Sequence, residues 1–350
     1  MDPARLVPFA LLVAGCASAP PAEPWHGAEP APAATLTAAR SAEARFETLP
    51  DETAWSRMSR GAPPLPVWAR ALADALPATT AMQLNLDFVQ RTRNPLGPVL
   101  GAEVRWVVAD ANHCGYAKQA AEADLAKAGV PAAQIDRLGA PDGPPEPDRA
   151  ALAFARKLTV DGSSLTDEEV AGVIAAYGPD DVVAIVHTVA HANFQQRIFL
   201  ALGLTLEPGG AVPPREVRPP EKDELAVPAR TMPAETASAD DPVLAGGAPA
   251  PEVAPWSPRS AEELRDLLEQ QKARTGRIPK PDETRLARLP RPLRSRLGRI
   301  AWGTISTGYS PELTRAWYQT MDTFGREANL DEVFAESVFW VVTRTNDCFY

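Results

Sequence analysis

Residues 151–204 read ALAFARKLTVDGSSLTDEEVAGVIAAYGPDDVVAIVHTVAHANFQQRIFLALGL, and this stretch decides the fold class. Leu152, Phe154, Ala155 and Leu158 recur at helical spacing, which predicts one helix with a single apolar face. Thr166 followed by Glu169 is a capping-box pattern, so a second helix should begin there and carry Val170, Val173 and Ile174 inward. Gly178-Pro179 ends that helix and opens the next, because proline is tolerated in the first turn of a helix and not in its interior. The run from Asp180 to Leu202 is the most apolar in the chain and predicts a helix buried on most sides. No hairpin turn flanked by alternating residues occurs anywhere, so the expected fold is all-α.

Working outward, the same spacing continues through Val67, Leu72, Leu76, Leu84, Leu86 and Val89 and on to Leu100, Val104, Val107 and Val108. Gly129 with Pro131 ends a helix that begins near Cys114. Beyond residue 258, Ser260 with Glu263 caps a charged helix through Gln271, and further helices are expected over about 292–308, 311–328 and 331–345. One constant offset then links the two ends of the chain. Val338, Trp340, Val341, Val342, Asn346, Cys348 and Tyr350 repeat Val104, Trp106, Val107, Val108, Asn112, Cys114 and Tyr116. Pro77 pairs with Pro311, Thr80 with Thr314, Leu96 with Leu330 and Val99 with Val333 in the same register. The chain therefore reads as a duplicated helical unit, first at 63–207 and again, incomplete, at 259–350. The apolar face of the second unit is expected to seek the first, and surface left uncovered should drive self-association into a homo-oligomer.

Composition sets the rest of the organisation. The 37 prolines are far above average usage, and twelve of them fall between Pro208 and Pro258, which reads as an extended linker over 208–258. Residues 21–62, rich in Ala, Pro, Glu and Ser, read as a disordered tether. A formal charge of −10 argues against nucleic acid as a partner. Three cysteines cannot build a disulfide framework, so Cys114 and Cys348 read as thiols with a positional meaning. Cys16 closes the short apolar run from Leu6, and residues 1–20 resemble a bacterial lipoprotein signal, although Asp2 and Pro8 depart from that pattern. An unstructured leader is the other reading. Export with a lipid anchor at Cys16 and a cytoplasmic location both stay open, and that anchor is the one membrane contact expected.

The string over 151–204, with its Leu-Thr turn, its capped helix and Asn193, Phe194 and Arg197 in the closing helix, resembles the carboxymuconolactone decarboxylase and alkylhydroperoxidase D-like superfamily. The likeness covers about 64–206 and, in part, 292–350. It implies an all-α, oligomeric protein without a cofactor or bound metal. In the peroxidase branch a Cys-x-x-Cys pair opens a helix, a histidine follows four residues after the second cysteine, and a glutamate stands twelve before the first. A helix start favours a thiolate, and thiols one turn apart can close a disulfide on a sulfenic acid. Carried over, Cys114 takes the place of the first thiol, but Ala117 stands for the second, Ala121 for the histidine and Ala102 for the acid. Glu103 is one residue off, which rotates it by about 100° on a helix.

In the second copy, Glu336 stands twelve before Cys348, as the resemblance requires of the relay acid. The next thiol would fall just after Tyr350, so the natural chain is expected to continue and turnover by residues 1–350 to be negligible. The resemblance thus implies a thiol peroxidase that consumes a small hydroperoxide with a thiol reductant, with Cys348, Glu336 and Cys114 as the candidate residues and the first repeat degenerate. A non-catalytic helical scaffold and a lactone decarboxylase-like enzyme are the alternatives.

The remaining polar residues read as structural. His187 and His191 share one helical face but have no carboxylate beside them to complete a metal site. Asn193 and Arg197 should hold a helix end or a subunit contact, and Trp106 and Trp340 should be core residues of the repeat. Asp167, Glu168, Asp180 and Asp181 sit in first turns, where they complement the helix dipole.

Overall fold

The computed structural model describes residues 47–58, 61, 64–140, 143–144, 146–217, 261–272, 276–295, 297, 301–328 and 330–345. Cys16, the leader, the tether up to residue 46, the linker over 218–260 and Cys348 lie outside the described residues. The protein is all-α, and no strand occurs among the described residues. In chain order the helices are α1 (Asp51–Met58), α2 (Val67–Leu72), α3 (Pro77–Thr92), α4 (Gly97–Ala111), α5 (Gly115–Lys127), α6 (Ala132–Ile135), α7 (Asp148–Asp161) and α8 (Asp167–Leu202). Further along the chain come α9 (Ala261–Lys272), α10 (Glu283–Ala287), α11 (Arg291–Arg294), α12 (Ala301–Tyr309), α13 (Pro311–Glu327) and α14 (Glu332–Thr345).

Helix α1 corrects the boundary of the tether. Ala54, Trp55 and Met58 are buried to 0%, 6% and 5% exposure in a cluster with Leu65, Trp68 and Phe199. Three apolar residues in two turns are too few for periodicity to register. One tryptophan still buries enough surface to dock so short a helix, at about 2–3 kcal/mol.

The main core forms where α4 meets α5, α7 and α8. Val104, Trp106, Val107 and Val108 of α4 pack with Leu125, Phe154, Val182 and Ile185. The capping box at the start of α8 is complete: Glu169 N donates to Thr166 Oγ1 at 3.2 Å, and Thr166 N donates to Glu169 Oε2 at 2.8 Å. The chain breaks at Gly178, whose φ of 77° and ψ of 166° only glycine adopts readily, and the helix resumes at Pro179. Helix α8 is long and apolar enough to cross a membrane by length and composition alone, but Val182 to Val186 are all buried, as in a core helix.

The segment with Arg277 and Arg285 docks on this bundle through both first turns of α8. Arg277 Nε donates to Asp167 Oδ1 at 2.6 Å and its Nη2 to Leu165 O at 2.7 Å. Arg285 pairs with Asp180 at the break and donates from Nε to Gly308 O at 2.7 Å. Asp167 and Asp180 therefore do more than complement the helix dipole. A side chain at Gly308 would lie 2.3 Å from Pro281 Cγ, so this close approach of α12 to the loop before α10 depends on glycine.

Helices α3 and α13, which the repeat offset pairs residue by residue, pack antiparallel against each other. Glu327, at the end of α13, accepts from Ala78 N at 2.8 Å and Thr79 N at 2.6 Å at the start of α3. At the other end Arg93 pairs with Glu312 at 3.1 Å. Arg93 corresponds to Glu327 and Ala78 to Glu312, so the two ends of the contact exchange equivalent positions, as in an isologous dimer interface. Thr320 Oγ1 donates to Met82 O near the crossing, and Leu86, Val89, Leu313 and Ala316 fill it.

Helix α14 departs from expectation. Trp340 is 57% exposed, whereas its counterpart Trp106 is buried, with its Nε1 donating to Glu122 at 3.0 Å and Lys118 stacked 4.3 Å from its ring. The elements that cover Trp106 follow it in the chain, in α5 and the turn at Gly139. On α14, Val333 and Phe334 are also exposed.

Candidate functional site

Cys114 stands at the corner between α4 and α5, and the backbone there is tightly specified. His113 N donates to Asp110 O at 3.1 Å and Cys114 N to Ala109 O at 2.9 Å, the two bonds of a Schellman motif. His113 takes the left-handed position, with φ of 54°, which is usually given to glycine. Cys114 is thereby both the last residue of one helix end and the N-cap of α5. His113→Val should cost about 1–2 kcal/mol, because a β-branched side chain is strained at this φ, and urea unfolding would measure it. An unchanged midpoint would mean that the turn relaxes out of the left-handed region.

The thiol is buried, at 2% exposure, in the cluster of Trp68, Leu84 and Phe199. Ala117, one turn along α5, packs against this same cluster. Ala102 and Ala121, at the positions where the resemblance puts the relay acid and histidine, are fully buried in the main core. Glu103 is also buried, and its carboxyl is raised by burial and then by the charge of Asp148, which accepts from Tyr177 OH at 2.7 Å. It belongs to that acidic end of the bundle. Glu336 lies exposed on α14, and Cys348 is outside the described residues.

Around Cys114 the structure assembles several polar groups. Asn112, the C-cap of α4, donates from Nδ2 to Asn193 Oδ1 and to Gln196 Oε1, both at 2.8 Å, while Arg197 donates to Asn193 Oδ1 at 3.2 Å. Asn193 and Arg197 thus hold a helix end, as expected. Beside them, a cleft is lined by Trp68, Asp87, Arg91, Arg105, Tyr116, Gln195 and Phe199, with Ala211 and Val212 of the segment after α8 along its edge. Residues 208–217 carry no helix, Val217 is buried, and Glu207 accepts from Val67 N at 2.5 Å and Tyr116 OH at 2.8 Å.

Behind the cleft, Arg91 grips Asp124 with Nε and Nη2, each at 2.8 Å, and Asp87 with Nη1 at 3.1 Å. Arg105 Nη2 reaches the same Asp124 at 2.9 Å. Burial pushes the Asp124 carboxyl up, but the hydrogen bonds and charges of Arg91 and Arg105 outweigh it and hold the group below the usual carboxylate range. Burial lowers Arg105, whereas for Arg91 the nearby Asp87 and Asp124 more than offset burial and raise it. The sequence does carry a signal for this network: Arg105 interrupts an apolar run, and Asp87 and Arg91 are spaced i, i+4 on a helix that must be buried.

His187 Nε2 lies 3.3 Å from Thr314 Oγ1 and its ring 5.6 Å from that of Trp302, at the contact of α8 with α12 and α13. Among the described residues no group of three or more His, Cys, Asp and Glu side chains gathers as a metal site would require. No family model matches the chain, and no curated protein matches it.

Proposed function

We propose that the chain is a duplicated alkylhydroperoxidase-like protein whose thiol peroxidase chemistry resides at Cys348 with Glu336 as proton relay, the first repeat serving as its structural partner. The observation that carries this reading is the antiparallel contact of α3 with α13, in which equivalent residues of the two repeats exchange places. Such a contact supports reading the second unit as a copy of the first, with Cys348, by its sequence offset, as the counterpart of Cys114. The burial of Cys114 beside Ala117 supports a first repeat without dithiol chemistry.

In the proposed step the Cys348 thiolate attacks the distal oxygen of a hydroperoxide, the O–O bond breaks, and the alkoxide leaves as an alcohol with a proton relayed by Glu336. Two equivalents of an external thiol then reduce the sulfenic acid, releasing water and a disulfide. One equivalent of cumene hydroperoxide should yield a dimedone adduct at Cys348, seen by mass spectrometry. Cys114→Ser should leave its yield unchanged, and Glu336→Gln should slow it about tenfold or more.

A second reading, a non-catalytic scaffold, is favoured by the buried alanines at 102 and 121. Absence of any adduct at Cys348 would decide for it. An adduct at Cys114 alone would mean that the active repeat is the first.

A further inference from the structure

We infer that the arginine cluster on α10 and α11 is a docking surface for the phosphate backbone of a nucleic-acid duplex, bound without regard to its sequence. This does not rest on the peroxidase assignment. Residues 272–299 carry ten Lys and Arg against two Asp and Glu, so this stretch stands at +8 and the remainder of the chain at −18, which together make the formal −10. The overall charge that argues against nucleic acid is therefore an average over two opposed regions. Between Glu283 and Glu312 the sequence has six arginines and no acidic residue.

The structure sorts these arginines into two groups. Arg277 and Arg285 hold the segment to α8 through Asp167 and Asp180, and among the described residues theirs are the ion pairs of this stretch. Arg288, Arg291 and Arg294 are exposed, whereas Leu289 and Leu293 of the same two turns are buried and point the arginines outward. Arg294 Nη1 donates to Ala287 O at 3.3 Å, which folds α11 back and sets this guanidinium beside the end of α10, next to Arg288. The chain has 45 Asp and Glu residues, so like charges are gathered here although counter-charges are plentiful elsewhere. Such a cluster repels itself, and it gains most from a partner that brings several negative charges in a row.

The chemistry of the cluster selects the partner. Arginine presents a planar fork of donors that matches phosphate oxygens. No aromatic residue occurs over 272–299, so nothing is offered for stacking on the bases of a single strand, and contact is limited to the backbone. No large apolar side chain is exposed among the described residues of 276–295, whereas a membrane-surface helix sets Trp, Phe or Leu beside its basic residues. A planar membrane would also meet the acidic surface around the cluster, beginning with the exposed Asp282 and Glu283, but a narrow rod need touch only the arginines.

Fluorescence anisotropy of the full chain with a labelled DNA duplex of about 20 base pairs, over roughly 50 to 200 mM salt, tests this. Binding should be saturable at the low end and equal for two unrelated sequences, and log affinity should fall against log salt with a slope of about −3, as three phosphate contacts require. Changing Arg288, Arg291 and Arg294 together to Ala should weaken binding at least tenfold and flatten the slope, whereas changing all three to Lys should keep most of it. Arg291→Glu alone should weaken binding roughly fivefold or more, so the test survives if the triple Ala variant does not fold. Arg57→Ala, which removes an exposed arginine of α1 paired with Asp74, should change nothing. No saturable duplex binding, equal losses for Arg57→Ala and Arg291→Glu, or arginine-dependent binding of phosphatidylglycerol vesicles without binding of the duplex would each overturn the assignment. A missing Cys348 adduct with duplex binding intact would count against the proposed peroxidase role alone.

Discussion

Acidification from pH 7 to about pH 4 is expected to remove several kcal/mol of stability, with most of the loss traceable to two histidines. Burial pushes His187 down to about 4, with the charge of His191 adding to the effect. Burial likewise lowers His191 to about 4; Asp87 opposes this, and Arg105 and Arg91 reinforce it. Both imidazoles are neutral in the fold, whereas in the unfolded chain they titrate near 6.5. Between those values the unfolded state binds more protons, so stability is fully present above about 6.5 and falls as pH drops toward the folded value. A depression of this size corresponds to roughly 3 kcal/mol per histidine, and the steepest slope for two is about 2.7 kcal/mol per pH unit. Urea unfolding at pH 7.5, 6 and 5 measures it, and His191→Gln should roughly halve the slope. A flat profile over that range would mean that the folded protein hydrates or charges these rings, and that the α8 core is looser than its burial indicates.

Glu327→Ala is expected to cost about 2–5 kcal/mol, far more than loss of any exposed carboxylate. A glutamate in the last turn of a helix is unfavourable to that helix's own dipole. Here it is buried, at 7% exposure, and its two oxygens take the Ala78 and Thr79 amides that α3 leaves without helical partners. Truncation strands both amides out of water, at about 1–3 kcal/mol each. Glu327→Gln should recover part of the loss, because one amide oxygen remains to accept. Glu312→Ala, which removes the exposed partner of Arg93 at the equivalent end, should cost no more than about 1 kcal/mol. Equal and small effects of Glu327→Ala and Glu312→Ala on the urea midpoint would show that the α3 and α13 contact does not stabilise the fold.

The elements were legible where local chemistry decides them. The capping box at Thr166, the break at Gly178 and the end of α5 at Gly129 all lie where the residue types require, because side-chain caps and positive φ are properties of a few neighbouring residues. Short α1 was not, since two turns carry too little periodicity and its stability comes from Trp55 burying against distant residues. Trp340 was misread as core for the converse reason: its sequence environment matches that of Trp106, but burial depends on which helices follow and fold back.

The candidate site divides along the same line. Cys114, Cys348 and Glu336 could be named as candidates only through the resemblance, because a family motif is a pattern along the chain. The cleft with Arg91, Arg105, Asp124 and Tyr116 could not, because its members come from three helices and its edge from the segment after α8. The sequence by itself determined the all-α class and the helix boundaries with local caps, since these follow from backbone preferences and the period of apolar residues. Only the tertiary structure decided that α3 and α13 meet antiparallel, that Cys114 is buried, and that Arg105 shares its one carboxylate partner with Arg91, because burial and charge pairing are set by residues brought together from far along the chain.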